Sequence, residues 1–115
     1  MTTNDSLSRA ARAAILDEGN TIVVSAASAW EMAIKVRLGR LPLDPDIMRD
    51  FTGYLAQSDF RELSMTAEHG IRAGTLPGPL RDPFDRMLIA QAQAEKLYIV
   101  SNERVFDQYG VSRIW

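Results

Sequence analysis

Four carboxylates are the groups in this chain whose types and spacing could do chemistry. Asp82 and Asp85 stand three residues apart in Arg81-Asp82-Pro83-Phe84-Asp85-Arg86-Met87-Leu88-Ile89-Ala90-Gln91-Ala92. Pro83 suits a first helical position, because its missing N–H would have no partner there. Asp82 then falls at the N-cap and Asp85 at the third helical position, where carboxylates meet free N–H groups and the positive helix end. From Phe84 to Ala94 the segment is apolar on most sides, as expected of a buried helix laid against a sheet. The other two acids, Glu31 and Glu103, each follow a short β-branched or apolar run. Carboxylates without cysteine, and with a single histidine in the chain, suit a hard cation such as Mg2+ or Mn2+. Metal-assisted phosphodiester hydrolysis fits such a set better than zinc chemistry does.

The elements that must position these acids come from periodicity. Leu7, Ala10, Ala11, Ala14 and Ile15 recur at helical spacing, which predicts a helix over 6–18, stopped by Gly19-Asn20. Thr21-Ile22-Val23-Val24 reads as a buried strand. Ser28-Ala29-Trp30-Glu31 has capping-box spacing and predicts a helix from Ser28 to Gly39. Asp44-Pro45 starts another, with Ile47, Met48, Phe51, Tyr54 and Leu55 as its stripe. A second strand is expected at 60–63 and a short helix from Thr66 to Gly74, followed by the rigid Pro77-Gly78-Pro79 loop. The helix from Asp82 leads into a third strand at 97–100. A short helix over 101–109 and a last strand within 111–115 close the chain. Strands alternating with helices imply an α/β sandwich with a mainly parallel sheet.

Chain direction then places the acids. A helix that follows a parallel strand starts at the strand's C-terminal edge, so Glu31 and Glu103 are expected there. The helix from Asp82 runs antiparallel to strand 97–100, which puts its mouth at the same edge, the usual ligand side of open α/β folds. Each acid alone reads equally well as a helix cap or a first-turn charge, stabilising by about 0.5–1 kcal/mol. Gathered on one rim they read differently. Two carboxylates about 5 Å apart at an effective dielectric near 20 repel by about 3 kcal/mol, which a divalent cation removes.

Composition bounds the setting. The chain has 115 residues, 46% hydrophobic and 24% charged, and reads as one soluble domain over 1–115. It has no cysteine, hence no disulfide and no thiolate metal site. Met1 to Asp5 carries no signal-like apolar core and no run reaches membrane-spanning length, so a cytoplasmic location is expected. A net charge of −2 gives no global pull on nucleic acid, and any such binding must use a local basic patch. Arg81, Arg86 and Arg104 beside the acids are candidates to hold RNA phosphates, with ion pairing to those acids as the competing use. His69 is expected to have no catalytic role. Trp30 and Trp115 read as core or dimer contacts, and Met32, Val36 and Leu38 as core or a partner-facing side of their helix.

Longer motifs carry a resemblance. Val24-Ser25-Ala26-Ala27-Ser28-Ala29-Trp30-Glu31-Met32-Ala33-Ile34-Lys35, followed by Arg40-Leu41-Pro42-Leu43, resembles the second motif of PIN-domain ribonucleases, most of all the VapC-type toxins of toxin–antitoxin pairs. Arg81 to Ala92 resembles their third motif. Val100-Ser101-Asn102-Glu103-Arg104-Val105-Phe106 with Tyr109-Gly110-Val111 resembles their last. The resemblance implies a PIN-like three-layer α/β sandwich and a Mg2+- or Mn2+-dependent endoribonuclease. It implies an RNA substrate and a small antitoxin protein as partner, and a homodimer is expected. By it, Glu31, Asp85 and Glu103 are the metal-site acids, Glu103 standing where the family more often has aspartate. Asp82 is an additional nearby acid, and Ser101 stands where the family often has a hydroxyl near the scissile phosphate.

One departure goes with this. Family members usually begin with an apolar strand ending in an aspartate, the first metal ligand, central to the sheet between the strands resembling 21–24 and 97–100. Only Met1-Thr2-Thr3-Asn4 precedes Asp5 here, too little for that strand. Losing three buried aliphatic side chains would forfeit about 5–9 kcal/mol, comparable with the stability of a whole domain. A truncated or mis-started reading frame is the expectation, with a borrowed or omitted strand as the other course. A catalytically impaired PIN-fold module that dimerises or binds antitoxin or RNA without cleaving is accordingly the alternative function.

Overall fold

The structure, a computed structural model, describes residues 7–115. It falls into two compact units, one spanning Thr21–Thr66 and the other holding the segment up to Asn20 together with Ala67–Trp115. The stretch Met1 to Asp5, read above as too short for the family's first strand, lies outside the described residues.

In the Thr21–Thr66 unit, β1 (Ile22–Ser25) pairs in parallel with β2 (Phe60–Leu63), from Ile22 opposite Phe60 to Ser25 opposite Leu63. Between them run α2 (Ala26–Arg37), α3 (Pro45–Arg49) and α4 (Phe51–Gln57). The helix expected to open at Ser28 opens earlier. Ser25 ends β1 in an extended conformation and its Oγ accepts the Ala27 N–H at 3.0 Å, capping α2 where Ala26 and Ala27, the best helix formers, follow at once. The Ser28-to-Glu31 capping box therefore does not form, and Glu31 sits on α2 one turn beyond its start. The single helix expected after Asp44 is also broken. Asp50 (φ −138°, ψ 68°) ends α3 and caps α4, its carboxylate accepting the Gly53 N–H at 3.1 Å. A short Asp chain that bonds the backbone locally outcompetes continuation of the helix. Ala27 and Leu55 are buried here, whereas Trp30 is 59% exposed and so is no core residue.

The other unit contains α1 (Arg9–Leu16), α5 (Ala67–Thr75), α6 (Pro83–Glu95), β3 (Ile99–Val100), a 3-10 helix (Arg104–Tyr109) and β4 (Arg113–Ile114). The helix expected over 6–18 is shorter because Ser8 caps it, its Oγ accepting the Ala11 N–H at 3.0 Å; residue 6 lies outside the described residues. The strand expected over 97–100 is trimmed to Ile99–Val100, which pairs in parallel with β4. Helices α5 and α6 pack on each other, and the buried apolar side chains are Ala11, Ala73, Ile89, Ala90, Ala92 and Phe106. Burial on α6 is confined to Ile89–Ala92, so its mouth is half-exposed rather than deeply enclosed. Both strand pairs are parallel and helices pack on them, which is the mixed α/β class expected. No helix of the described residues is long and apolar enough to cross a membrane.

Candidate active site

The mouth of α6 is built as its residue types require. Asp82 caps the helix, one carboxylate oxygen accepting the Phe84 N–H at 2.9 Å and the Asp85 N–H at 3.1 Å. Pro83 takes the first helical position, and Asp85 stands half-buried in the first turn. The two acids are thereby tied by one short network, Asp82 as acceptor and the backbone of Asp85 as donor.

Arg86 follows immediately and does not reach for a phosphate. Its Nε donates to the Ala73 carbonyl at 2.8 Å, its Nη1 to the Leu80 carbonyl at 2.8 Å and its Nη2 to the Leu76 carbonyl at 2.6 Å. A guanidinium committed to three carbonyls has little left for RNA, so Arg86 leaves the set of phosphate-binding candidates. Arg81 and Arg104 are exposed.

Glu103 is exposed at the start of the 3-10 helix, where its side chain makes no capping bond. Its N–H donates to Ser101 Oγ at 3.0 Å. Ser101 is held by its backbone, donating to the Ile114 carbonyl at 3.2 Å and accepting from Arg113 Nη1 at 3.0 Å. Arg113 also forks onto Asp107, at 2.9 and 3.0 Å. That hydrogen-bonded guanidinium holds the Asp107 carboxyl below the usual carboxylate range, and the Asp107 carboxylate in turn raises the pKa of Arg113. Because the folded pKa of Asp107 is depressed, its contribution is present above the unfolded value and lost as pH falls through the folded one. Asp107→Asn is expected to lower the unfolding midpoint at neutral pH, a difference that vanishes in acid when both proteins are melted in parallel.

Glu31 lies in the Thr21–Thr66 unit, half-buried on α2, with Lys35 Nζ at 3.8 Å. Asp82, Asp85 and Glu103 lie in the other. The donors are hard oxygens and suit Mg2+ or Mn2+ in kind. Among the described residues, however, no three Asp, Glu or His side chains are grouped so that they could hold a metal ion. His69 is buried and its Nε2 lies 3.0 Å from Glu95 Oε1, a packing role between α5 and α6.

A family profile for the PIN domain matches residues 1–111. The chain belongs to the PIN-domain family. The PIN domain is also similar to ribonuclease VapC16 of Mycobacterium tuberculosis, 61% identical over 31 residues. That stretch is 27% of this chain and spans 22% of that protein. No solved structure gives a significant match.

In this PIN domain the Pro77-Gly78-Pro79 loop meets the end of the 3-10 helix at Tyr109. Gly78 adopts φ +95°, and a Cβ there would meet Tyr109 Oη at 2.7 Å. Tyr109 Oη in turn accepts the Leu80 N–H at 3.3 Å, and its carbonyl accepts from Gln93 Nε2 at 2.9 Å. Gly78→Ala is expected to destabilise the PIN domain by about 1–3 kcal/mol, combining a left-handed backbone with a collision; urea unfolding reads the loss directly. The only sequence signal for this contact is the Pro-Gly-Pro triplet, which marks a turn but not its partner.

Proposed function

We propose that this PIN domain is the toxin of a type II toxin–antitoxin pair, a Mg2+- or Mn2+-dependent endoribonuclease silenced by a small antitoxin protein. It works as a homodimer in the cytoplasm. The observation that carries the reading is the PIN-domain match over residues 1–111, and the likeness to a protein named as a ribonuclease supports RNA as the substrate. The reaction is hydrolysis: water attacks phosphorus, the bond to the leaving sugar oxygen breaks, and that oxygen takes up a proton. Glu31, Asp85 and Glu103 are the acids assigned to the cation, which they would hold through carboxylate oxygens, and Asp82 caps the turn of α6 that carries Asp85. Ser101 and the exposed Arg81 and Arg104 are assigned to the RNA backbone, where hydroxyl and guanidinium donors suit phosphate oxygens.

The lack, among the described residues, of any three acids or histidines grouped to hold a cation favours a second reading, a PIN-fold module that binds antitoxin or RNA without cutting. One experiment separates the two. Labelled RNA is incubated with the folded chain in Mn2+ and, separately, in excess chelator. The first reading predicts fragments with Mn2+ and none with chelator. It also predicts that 2′-O-methylated RNA is cut, because attack by water does not use the neighbouring 2′-hydroxyl. RNA that is retained but intact supports the second.

A further inference from the structure

The segment joining α5 to α6 delivers Asp82 and Asp85 to the mouth of α6, and it is held from two sides. From the α6 side, Arg86 ties together the Ala73 carbonyl in the last turns of α5, the Leu76 carbonyl just past its end and the Leu80 carbonyl two residues before Asp82. The three bonds converge on one planar group with donors in fixed directions, which a lysine ammonium cannot reproduce. From the other side, Tyr109 Oη receives the Leu80 N–H and packs so closely on Gly78 that no Cβ fits between them. Leu80 is therefore gripped at both its N–H and its C=O, one bond to each clamp residue. Tyr109 ends the 3-10 helix that Glu103 precedes, so the same clamp joins the Asp82–Asp85 segment to the Glu103 segment within one unit. Gln93, two turns beyond Arg86 on α6, donates to the Tyr109 carbonyl and so holds the backbone from which the ring extends.

We propose that Arg86 and Tyr109 are positioning residues for the candidate active site, acting through the 76–82 segment to fix the capped first turn of α6 that carries Asp85. The proposal rests on the reading of Asp85 as a reacting-site carboxylate, and it gives Arg86 a role distinct from any contact with RNA. Two variants test it, Arg86→Lys, which keeps the charge and loses the fork, and Tyr109→Phe, which removes one oxygen and keeps the ring. Amide hydrogen exchange is followed at Leu80, Phe84 and Asp85, with the β1–β2 ladder as internal control, and RNA cleavage is followed as kcat and KM separately.

In Arg86→Lys, exchange at Phe84 and Asp85 should quicken by about tenfold or more while the ladder keeps its protection. In the same variant kcat should fall by about tenfold to a hundredfold with KM within about twofold, the split expected of misplacement rather than of lost substrate contacts. Tyr109→Phe should quicken exchange at Leu80 and lower kcat less. Unchanged protection of Phe84 and Asp85 in Arg86→Lys overturns the proposal, as does lost protection with kcat unchanged. A rise in KM alone returns Arg86 to RNA binding and overturns it too. If Arg86→Lys fails to fold, Tyr109→Phe decides by the same two readouts. A wild-type chain that cuts no RNA overturns the proposed function, and the exchange measurements then decide the clamp by themselves: faster exchange in the variants upholds it, and unchanged exchange overturns it.

Discussion

Asp85→Asn is expected to reduce RNA cleavage by at least about a hundredfold, in line with the loss when one preorganised group is removed from a centre of developing charge. Asn keeps the shape of the side chain but removes its charge and replaces one acceptor oxygen by an NH2 donor. The first turn of α6 is held by Asp82 and Pro83, so the substitution should leave folding intact, as circular dichroism and thermal melting would show. Asp82→Asn is the matched control. Asparagine caps a helix about as well as aspartate, so a residue that serves mainly as a cap tolerates this change with activity within about tenfold. Asp82→Ala removes the cap itself and should cost about 1 kcal/mol of stability. The pair of asparagine variants separates a structural acid from a reacting one on the same helix turn.

Phe106→Ala is expected to destabilise its unit by about 3–5 kcal/mol, the range for removing a large buried aromatic side chain. Phe106 is 2% exposed and is among the largest fully buried side chains. It lies in the short 3-10 helix between Glu103 and Tyr109, a segment with little hydrogen bonding of its own to hold its shape. A loss of that size is a large share of the total stability of a domain, about 5–15 kcal/mol. Urea unfolding should show a lower midpoint. RNA cleavage should fall with the folded fraction, and recover on cooling if folding is the only thing lost.

What was legible in sequence follows how local the physics is. The α6 mouth was legible because Asp, Pro and Asp act within four residues of one another, and the capping bonds have the partners expected. The parallel pairing of both strand pairs was legible from the alternation of strand and helix runs. The start of α2 was not, because two serines three residues apart offer equivalent caps and only the end of β1 selects Ser25. The break at Asp50 was missed for a similar reason, since an apolar stripe at helical spacing reads the same across an interrupted helix. The bonding of Arg86 was not legible because its partners are backbone carbonyls of residues 73, 76 and 80. Carbonyls carry no sequence signature, whereas neighbouring acids do. For Trp30 the sequence left core and dimer contact open, because a large aromatic on a helix does not reveal which surface it faces, and its 59% exposure removes the core reading.

The most direct test of the account is RNA cleavage by the folded wild-type chain at millimolar Mn2+, with an Asp85→Asn sample and a chelator control run in parallel. Fragments in the wild-type sample that disappear in both controls are the expected result. Intact RNA in the wild-type sample, from protein shown to be folded, would contradict it, and so would equal cleavage by Asp85→Asn.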